Sequence, residues 1–405
     1  MKIVKFLLLG VFFTLFLFLS KIKGVLDFAI CVGPLFAVSY FASNRPIKIP
    51  IKIIYISIML ATLGAYAIII SFANNFQELI WAFKFFKTIL LLFSCFFVVD
   101  FIAKKTEINL DNCLIFAIWL HAVIVIACIV SEPFRDIVYS ITGYIPRGPA
   151  WSRSPGLTIS FNATSIVHIT GLLLLLISRI PKWIKIVVFL TIFISLLFMG
   201  RLIFVTGMLL LLAWRLIYSK KSRLSFLAGI AFCIGAVFLF YFNVESDLTT
   251  PIGVFRANLY HLLNPILDRD HGIENYAQDS LSSHIYFSEN LKVLLFGSSF
   301  SGHIGLIGGG GVTHSDIGLI NVINAIGIPM SIVAYYCNIF FCFSKSPEVR
   351  RKCIFVVLLM LVLSLKETGL FESNAANLLF LLWASDLVNN QLNDKNQIFL
   401  NEELT

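Results

Sequence analysis

The residues of this sequence that could do chemistry lie in polar stretches between long apolar runs. His314 and Asp316 stand two positions apart behind four consecutive glycines, at the start of an apolar run. A histidine near a carboxylate can act as a general base that takes the proton of a substrate hydroxyl, while the carboxylate orients that hydroxyl. A structural alternative stays open, because Ser315 or Asp316 could instead cap the helix that follows.

Arginines form the second group of candidates. Arg201 lies between two apolar runs with almost no loop, and Arg153 stands just before a polar stretch that leads into another run. An unpaired guanidinium is costly at a membrane surface, whereas a paired one binds two phosphate oxygens at once. These positions predict a pyrophosphate-binding surface, with contact to lipid headgroups as the alternative.

Two connections between apolar runs, at about 131–157 and 243–313, are far longer than the others. Long loops on a rigid scaffold are where binding residues concentrate. Asn162 and Ser165 carry polar side chains from the first connection into a span, where such side chains usually line an aqueous cavity. In these connections and in the one before the last run, the further candidate binding residues are Arg147, Arg256, Lys366 and Glu367.

The amino-acid composition indicates which kind of secondary structure positions these residues. The chain has 405 residues, of which 59% are hydrophobic and 13% charged, with a mean hydropathy of +0.91. Soluble domains have roughly 25% charged residues, so an ordinary soluble enzyme is excluded. The sequence predicts an all-α polytopic membrane protein with about 12 transmembrane helices. The apolar runs are 4–20, 24–42, 53–73, 82–103, 113–131, 158–178, 184–199, 202–218, 224–242, 316–343, 353–366 and 375–390.

Lysine and arginine in the short connections predict the orientation, because they prefer the cytoplasmic side. The basic connections fall on one face and both termini join them there, which leaves the two long connections on the other face. The predicted division is 1–242 with the first nine helices and the outer loop 131–157, then the large outer loop 243–313, helices 10–12 in 314–390, and a cytoplasmic tail 391–405.

The sequence gives no signal for a metal or disulfide site. All eight cysteines fall in or beside predicted spans, so no disulfide framework is expected. His303 and His314 have no third ligand at metal spacing. We therefore expect no metal and no cofactor.

A set of short motifs between about residues 130 and 380 can be read together. They are Arg153 with Gly156-Leu157-Thr158, Gly200-Arg201, Phe296-Gly297, His314-Ser315-Asp316-x-Gly318 and Gly327-Ile328. This pattern of topology and motifs resembles the bacterial O-antigen and capsule polysaccharide polymerases of the Wzy type, and the related O-antigen ligases.

The resemblance implies a GT-C-like helical fold in the bacterial inner membrane, with a periplasmic active face. It implies a glycosyltransferase that joins undecaprenyl-pyrophosphate-linked oligosaccharides without a nucleotide sugar or metal. Arg201 and Arg153, with Arg147 or Arg256, would neutralise the leaving pyrophosphate, and His314 or Asp316 would deprotonate the acceptor hydroxyl. The implied partners are the lipid-linked oligosaccharide, membrane lipids and a chain-length regulator of the polysaccharide copolymerase type, with no nucleic acid.

Two alternatives stay open. The related ligase would transfer finished glycan to the lipid A-core instead of extending it. A flippase or secondary transporter would instead be expected to have related halves and charged residues deep in several spans. No internal repeat is found, and the ionisable residues within the spans, Asp100, His121 and His168, are scattered along the sequence.

Overall fold

A computed structural model describes residues 2–19, 22, 27–42, 48–74, 78–106, 108–145, 154–218, 290–299, 318–365 and 373–403. These residues fold into α-helices joined by loops. The helices are α1 (Lys2–Phe18), α2 (Phe28–Ala42), α3 (Ile51–Ala73), α4 (Ile80–Lys105), α5 (Leu110–Val130), α6 (Glu132–Thr142), α7 (Phe161–Ile177), α8 (Lys182–Leu197), α9 (Arg201–Tyr218), α10 (Leu291–Phe296), α11 (Gly318–Phe340), α12 (Pro347–Leu363) and α13 (Ser373–Glu403).

Four of the described helices, α3, α4, α5 and α11, are long and apolar enough to cross a membrane. α7 and most of α2 and α9 are apolar as well, but shorter. The prediction of an all-α, membrane-embedded protein is confirmed at this level. The predicted run 224–242 and most of the loop 243–313 lie outside the described residues. The count of about twelve spans, the GT-C-like fold and the domain boundaries stay predictions.

α7 lies at the centre of the described helices, where it packs against α5, α8, α9, α12 and α13. Residues 162–175 of this helix are all buried, and mostly apolar residues on every side are typical of a helix enclosed by others. A Cβ on Gly171 would lie 2.7 Å from Cγ2 of Ile118 in α5, and one on Gly207 of α9 would lie 2.3 Å from Cδ1 of Ile169. Glycine at such crossings lets membrane helices pack closely.

One end of the helix array, called the inner end here, gathers basic connections. Lys352 in α12 is buried and pairs through Nζ with Asp111 of α5 at 2.6 Å and with Glu348 at 2.8 Å. The guanidinium of Arg351 lies 4.5 Å from the ring centroid of Tyr218, the last residue of α9. The starts of α5 and α12 and the end of α9 therefore share one end, as the distribution of basic residues predicts. Its assignment to the cytoplasmic side stays a prediction.

The opposite end, called the outer end, carries the amphipathic helix α6. Arg135 and Tyr139 on one face of this helix are buried. The large apolar side chains exposed on its other face are Phe134, Ile137 and Ile141. A helix with such a stripe suits the membrane interface. The connection 131–157 was predicted to be a loop, but part of it forms α6.

Candidate functional site at the outer end

Most of the predicted site residues lie outside the described part of the chain. Arg201 is the first residue of α9, and its side chain is not described. Their neighbours in sequence are described, however, and show which chain segments meet. The predicted residues outside the described ranges are His314, Asp316, Arg147, Arg153, Arg256, Lys366 and Glu367.

The segment that leads into α7 is hydrogen-bonded to the turn between α8 and α9. The N–H of Ser154 donates to the carbonyl of Phe198 at 3.3 Å, and the N–H of Gly200 donates to Oγ of Ser165 at 3.0 Å. A Cβ on Gly200 would lie 2.0 Å from Oδ1 of Asn162, so only glycine allows this approach. The segments next to both of the leading candidate arginines therefore meet at the outer end.

The start of α13 reaches the same place. Nδ2 of Asn374 donates to Oγ1 of Thr164 at 3.3 Å, and Thr164 also shares a hydrogen bond of 2.7 Å with Oγ1 of Thr158. α13 follows directly on the connection that carries the charged pair 366–367. We call this hydrogen-bonded set of residues the outer anchor. It consists of Ser154, Thr158, Thr164, Ser165, Gly200 and Asn374.

The polar side chains at the start of α7 are covered by protein. Asn162 is 6% exposed and Ser165 is fully buried. Oγ of Ser165 donates to the carbonyl of Phe161 at 2.8 Å while it accepts from the α8–α9 turn. The expectation that these two side chains line an aqueous cavity is wrong, because the α8–α9 turn occupies that space. The hydroxyl of Ser165 instead holds the backbone of Gly200.

Two histidines that are far apart in sequence form a buried chain behind the outer anchor. Nδ1 of His121 lies 2.9 Å from Nε2 of His168, and Nδ1 of His168 lies 2.9 Å from Oγ of Ser195. The N–H of Leu157 donates to Nε2 of His121 at 3.2 Å. The ring of Phe18 stacks on His121, with centroids 3.7 Å apart. The structure thus brings together two groups that look scattered in the sequence.

One sequence signal could have pointed to this chain. Asn162, Ser165 and His168 recur at intervals of three, which places them along one face of α7. That spacing alone does not show the partner, because His121 lies on another helix and 47 positions away. The contact depends on the relative register of α5 and α7.

The turn that receives the histidine chain has little free space. Gly156 has a left-handed backbone with φ 63°, and a Cβ there would lie 2.6 Å from Nε2 of His121. Oγ of Ser154 accepts from the Gly156 N–H at 3.2 Å, and the hydroxyl of Tyr139 in α6 reaches the same oxygen at 3.2 Å. Burial, the largest cause, raises the pKa of Tyr139 to about 12. The Tyr139 hydroxyl therefore keeps its proton and acts as a hydrogen-bond donor.

α11 is interrupted where the motifs Phe296-Gly297 and Gly327-Ile328 meet. Gly327 has φ 78° and ψ 163°, so the helix breaks there. A Cβ on Gly327 would lie 2.3 Å from the carbonyl oxygen of Leu295. The N–H groups of Ser298 and Ser299 donate to carbonyls of α11 at 2.8 Å. The motifs Phe296-Gly297 and Gly327-Ile328 are therefore in direct contact, and the break leaves these α11 carbonyls paired.

Comparisons with known proteins leave the family open. No protein-family model, no curated protein and no solved structure matches the chain. The resemblance carried by the short motifs stays a prediction. Function is therefore inferred below from the contacts of the outer anchor.

Within the described ranges, no group of three or more His, Cys, Asp or Glu residues could hold a metal ion. The described cysteines are free. The outer anchor itself offers hydroxyls, an amide and backbone N–H groups, which position neighbouring segments. Charged groups are described nearby on α6, where the buried Arg135 pairs with Glu132 at 3.5 Å.

Proposed function

We propose that the protein is a polysaccharide polymerase that joins undecaprenyl-pyrophosphate-linked oligosaccharide repeat units at the outer face of a bacterial inner membrane. The observation that carries the proposal is the hydrogen bond from the Ser154 N–H to the Phe198 carbonyl, at 3.3 Å. It ties the segment that continues from Arg153 to the turn that leads to Arg201. Guanidinium groups on two adjoining segments suit a ligand with two linked phosphates.

In the proposed reaction, the bond between the anomeric carbon of the donor and its pyrophosphate oxygen breaks. A new bond forms between that carbon and a hydroxyl of a second lipid-linked glycan. Negative charge grows on the departing undecaprenyl pyrophosphate, so guanidinium groups held in place lower the barrier. His314 or Asp316 accepts the proton of the attacking hydroxyl. Further contacts to phosphate and glycan are assigned to Arg147, Arg256, Lys366 and Glu367.

The outer anchor supports this proposal because a group-transfer site needs a rigid support. Catalytic groups must be held to within about 0.5 Å, and packed helices hold them better than loops do. α7 is buried over residues 162–175 and carries two members of the outer anchor, Thr164 and Ser165. It also carries His168 of the buried histidine pair. The proposal includes a GT-C-like fold of about twelve spans, cytoplasmic termini, transfer without metal or nucleotide, and a copolymerase-type regulator as partner.

The proposal is tested by Arg201→Ala in cells that lack the chromosomal gene. We expect the chain-length ladder of the surface polysaccharide to disappear while the protein stays abundant in the membrane. The matched control is Arg179→Ala, because Arg179 is an exposed arginine in a basic connection assigned to the inner face. The control should give the normal ladder.

The same gel separates the alternatives. A core that bears a single repeat unit indicates a lost polymerase. Bare core together with stranded lipid-linked polymer indicates a ligase instead. A normal ladder in Arg201→Ala would refute the pyrophosphate role of this residue.

A further inference from the structure

We propose that His121, His168 and Ser195 form a positioning chain for the donor site. The chain holds the backbone at Leu157, and through the turn 154–157 it sets the place of Arg153 for the donor pyrophosphate. This inference rests on the proposed function, since it assigns the pyrophosphate role to Arg153.

The hydrogen bonds of the chain can all run in one direction, which the Leu157 N–H sets. The Leu157 N–H can only donate, so Nε2 of His121 is the acceptor and the proton of this neutral ring is on Nδ1. Nδ1 of His121 then donates to Nε2 of His168, whose own proton on Nδ1 is donated to Oγ of Ser195. The Ser195 hydroxyl donates in turn to the carbonyl of Ile192 at 2.7 Å. In this arrangement each ring accepts at Nε2 and donates from Nδ1.

These hydrogen bonds hold the turn 154–157 firmly, because the groups that form them are buried. His121, His168 and Ser195 are all 0% exposed, and a buried donor that loses its acceptor is strongly disfavoured. If His121 no longer accepts, the Leu157 N–H has to find water, and the turn must move outward to reach it. The stack of Phe18 on the His121 ring leaves the ring no room to follow.

The end of α8 holds both ends of the turn. Ser195, at the far end of the histidine chain, belongs to the last turn of α8, and Phe198 is the C-cap residue of the same helix. The Phe198 carbonyl accepts from Ser154 at one end of the turn, while the histidine chain holds Leu157 at the other. Arg153 is bonded directly to Ser154. A shift of the turn therefore changes where the arginine segment begins.

Two substitutions of His121 test the chain, because each keeps the hydrogen bond of a different ring nitrogen. His121→Gln places an amide oxygen near the former Nε2 and can still accept from Leu157. His121→Asn places an amide N–H near the former Nδ1 and keeps only the bond to His168. The control is Thr170→Val in α7, since Thr170 is buried and donates to the Ile166 carbonyl in its own helix.

The first readout is hydrogen exchange of peptides that cover residues 154–160 in the purified full-length protein. The second is the KM of the lipid-linked donor, measured separately from kcat. For His121→Asn we expect exchange about tenfold faster and a donor KM about tenfold higher, the size of effect that one lost hydrogen bond produces. His121→Gln keeps the bond to Leu157 and loses the one to His168, so it should lie between His121→Asn and the unmodified protein. Thr170→Val should remain close to the unmodified protein in both readouts.

Three results would overturn the inference. Unchanged exchange in His121→Asn would show that the chain does not hold the turn. Faster exchange with an unchanged donor KM would show that the turn does not serve the donor site. An equal effect of His121→Gln and His121→Asn would indicate general damage to packing. If the unmodified protein elongates no glycan, the proposed function fails, and the exchange comparison still decides whether the chain holds the turn.

Discussion

The Gly156→Ala variant is expected to lose about 2–5 kcal/mol of unfolding free energy. The backbone at this position is left-handed, with φ 63°, which costs a residue with a Cβ about 1–2 kcal/mol. The new Cβ would also lie 2.6 Å from Nε2 of His121 and 2.8 Å from Cγ2 of Val125. Overpacking of a close-packed interior costs roughly 1–3 kcal/mol, and the two effects together give the expected loss.

The matched control separates these two contributions. Gly143 ends α6 with φ 72° and is exposed, so Gly143→Ala has the backbone cost without burial. We expect it to lose only about 1–2 kcal/mol. Both variants and the unmodified protein are unfolded with sodium dodecyl sulfate in mixed micelles, and tryptophan fluorescence reports the free energy of unfolding. Equal losses in the two variants would show that the turn does not press against the histidine chain.

Three further predictions concern stability. Asp111→Asn leaves Glu348 as the acidic partner of the buried Lys352 ammonium among the described residues, so the unfolding free energy should fall by about 2–3 kcal/mol. Glu348→Gln should cost under about 1 kcal/mol, because the Glu348 side chain is 70% exposed. The hydrogen bond and charge of Lys352 lower the pKa of Glu348. The stabilising contribution of Glu348 should therefore be complete above the ordinary carboxyl pKa and be lost as the pH falls from there through the lowered pKa. Unfolding free energies of Glu348→Gln measured across the same pH range should lack this slope. Gly297→Ala should prevent accumulation of folded protein on size-exclusion chromatography, because φ is 84° and a Cβ would meet the Ala325 carbonyl oxygen at 2.3 Å; a normal monodisperse peak would contradict the contact at the α11 break.

The long apolar helices were the most predictable part of the fold. The runs 53–73, 82–103, 113–131 and 316–343 agree with α3, α4, α5 and α11 to within three residues at each end. The thickness of the hydrocarbon core sets the length of an apolar run, and charged residues mark its ends. Both signals are local in sequence and need no knowledge of neighbouring helices.

Features that depend on packing were not predictable. α6 is short and amphipathic, so it has no apolar run of spanning length. The break at Gly327 depends on the approach of Leu295, and the His121–His168 contact depends on how α5 is rotated against α7. The candidate site was predicted as charged residues, whereas the described structure shows the neutral groups that hold their segments. The charged candidates could be identified from their residue types. The neutral groups that hold their segments could not, because their contacts depend on how the helices pack.

Elongation by the purified protein tests the central proposal most directly. The protein is reconstituted in liposomes without an ion gradient and supplied only with undecaprenyl-pyrophosphate-linked repeat units. We predict lipid-linked products of two or more repeats, with one undecaprenyl pyrophosphate released for each bond formed, and no products from Arg201→Ala. Intact substrate with no released undecaprenyl pyrophosphate, from a folded protein, would contradict a polymerase.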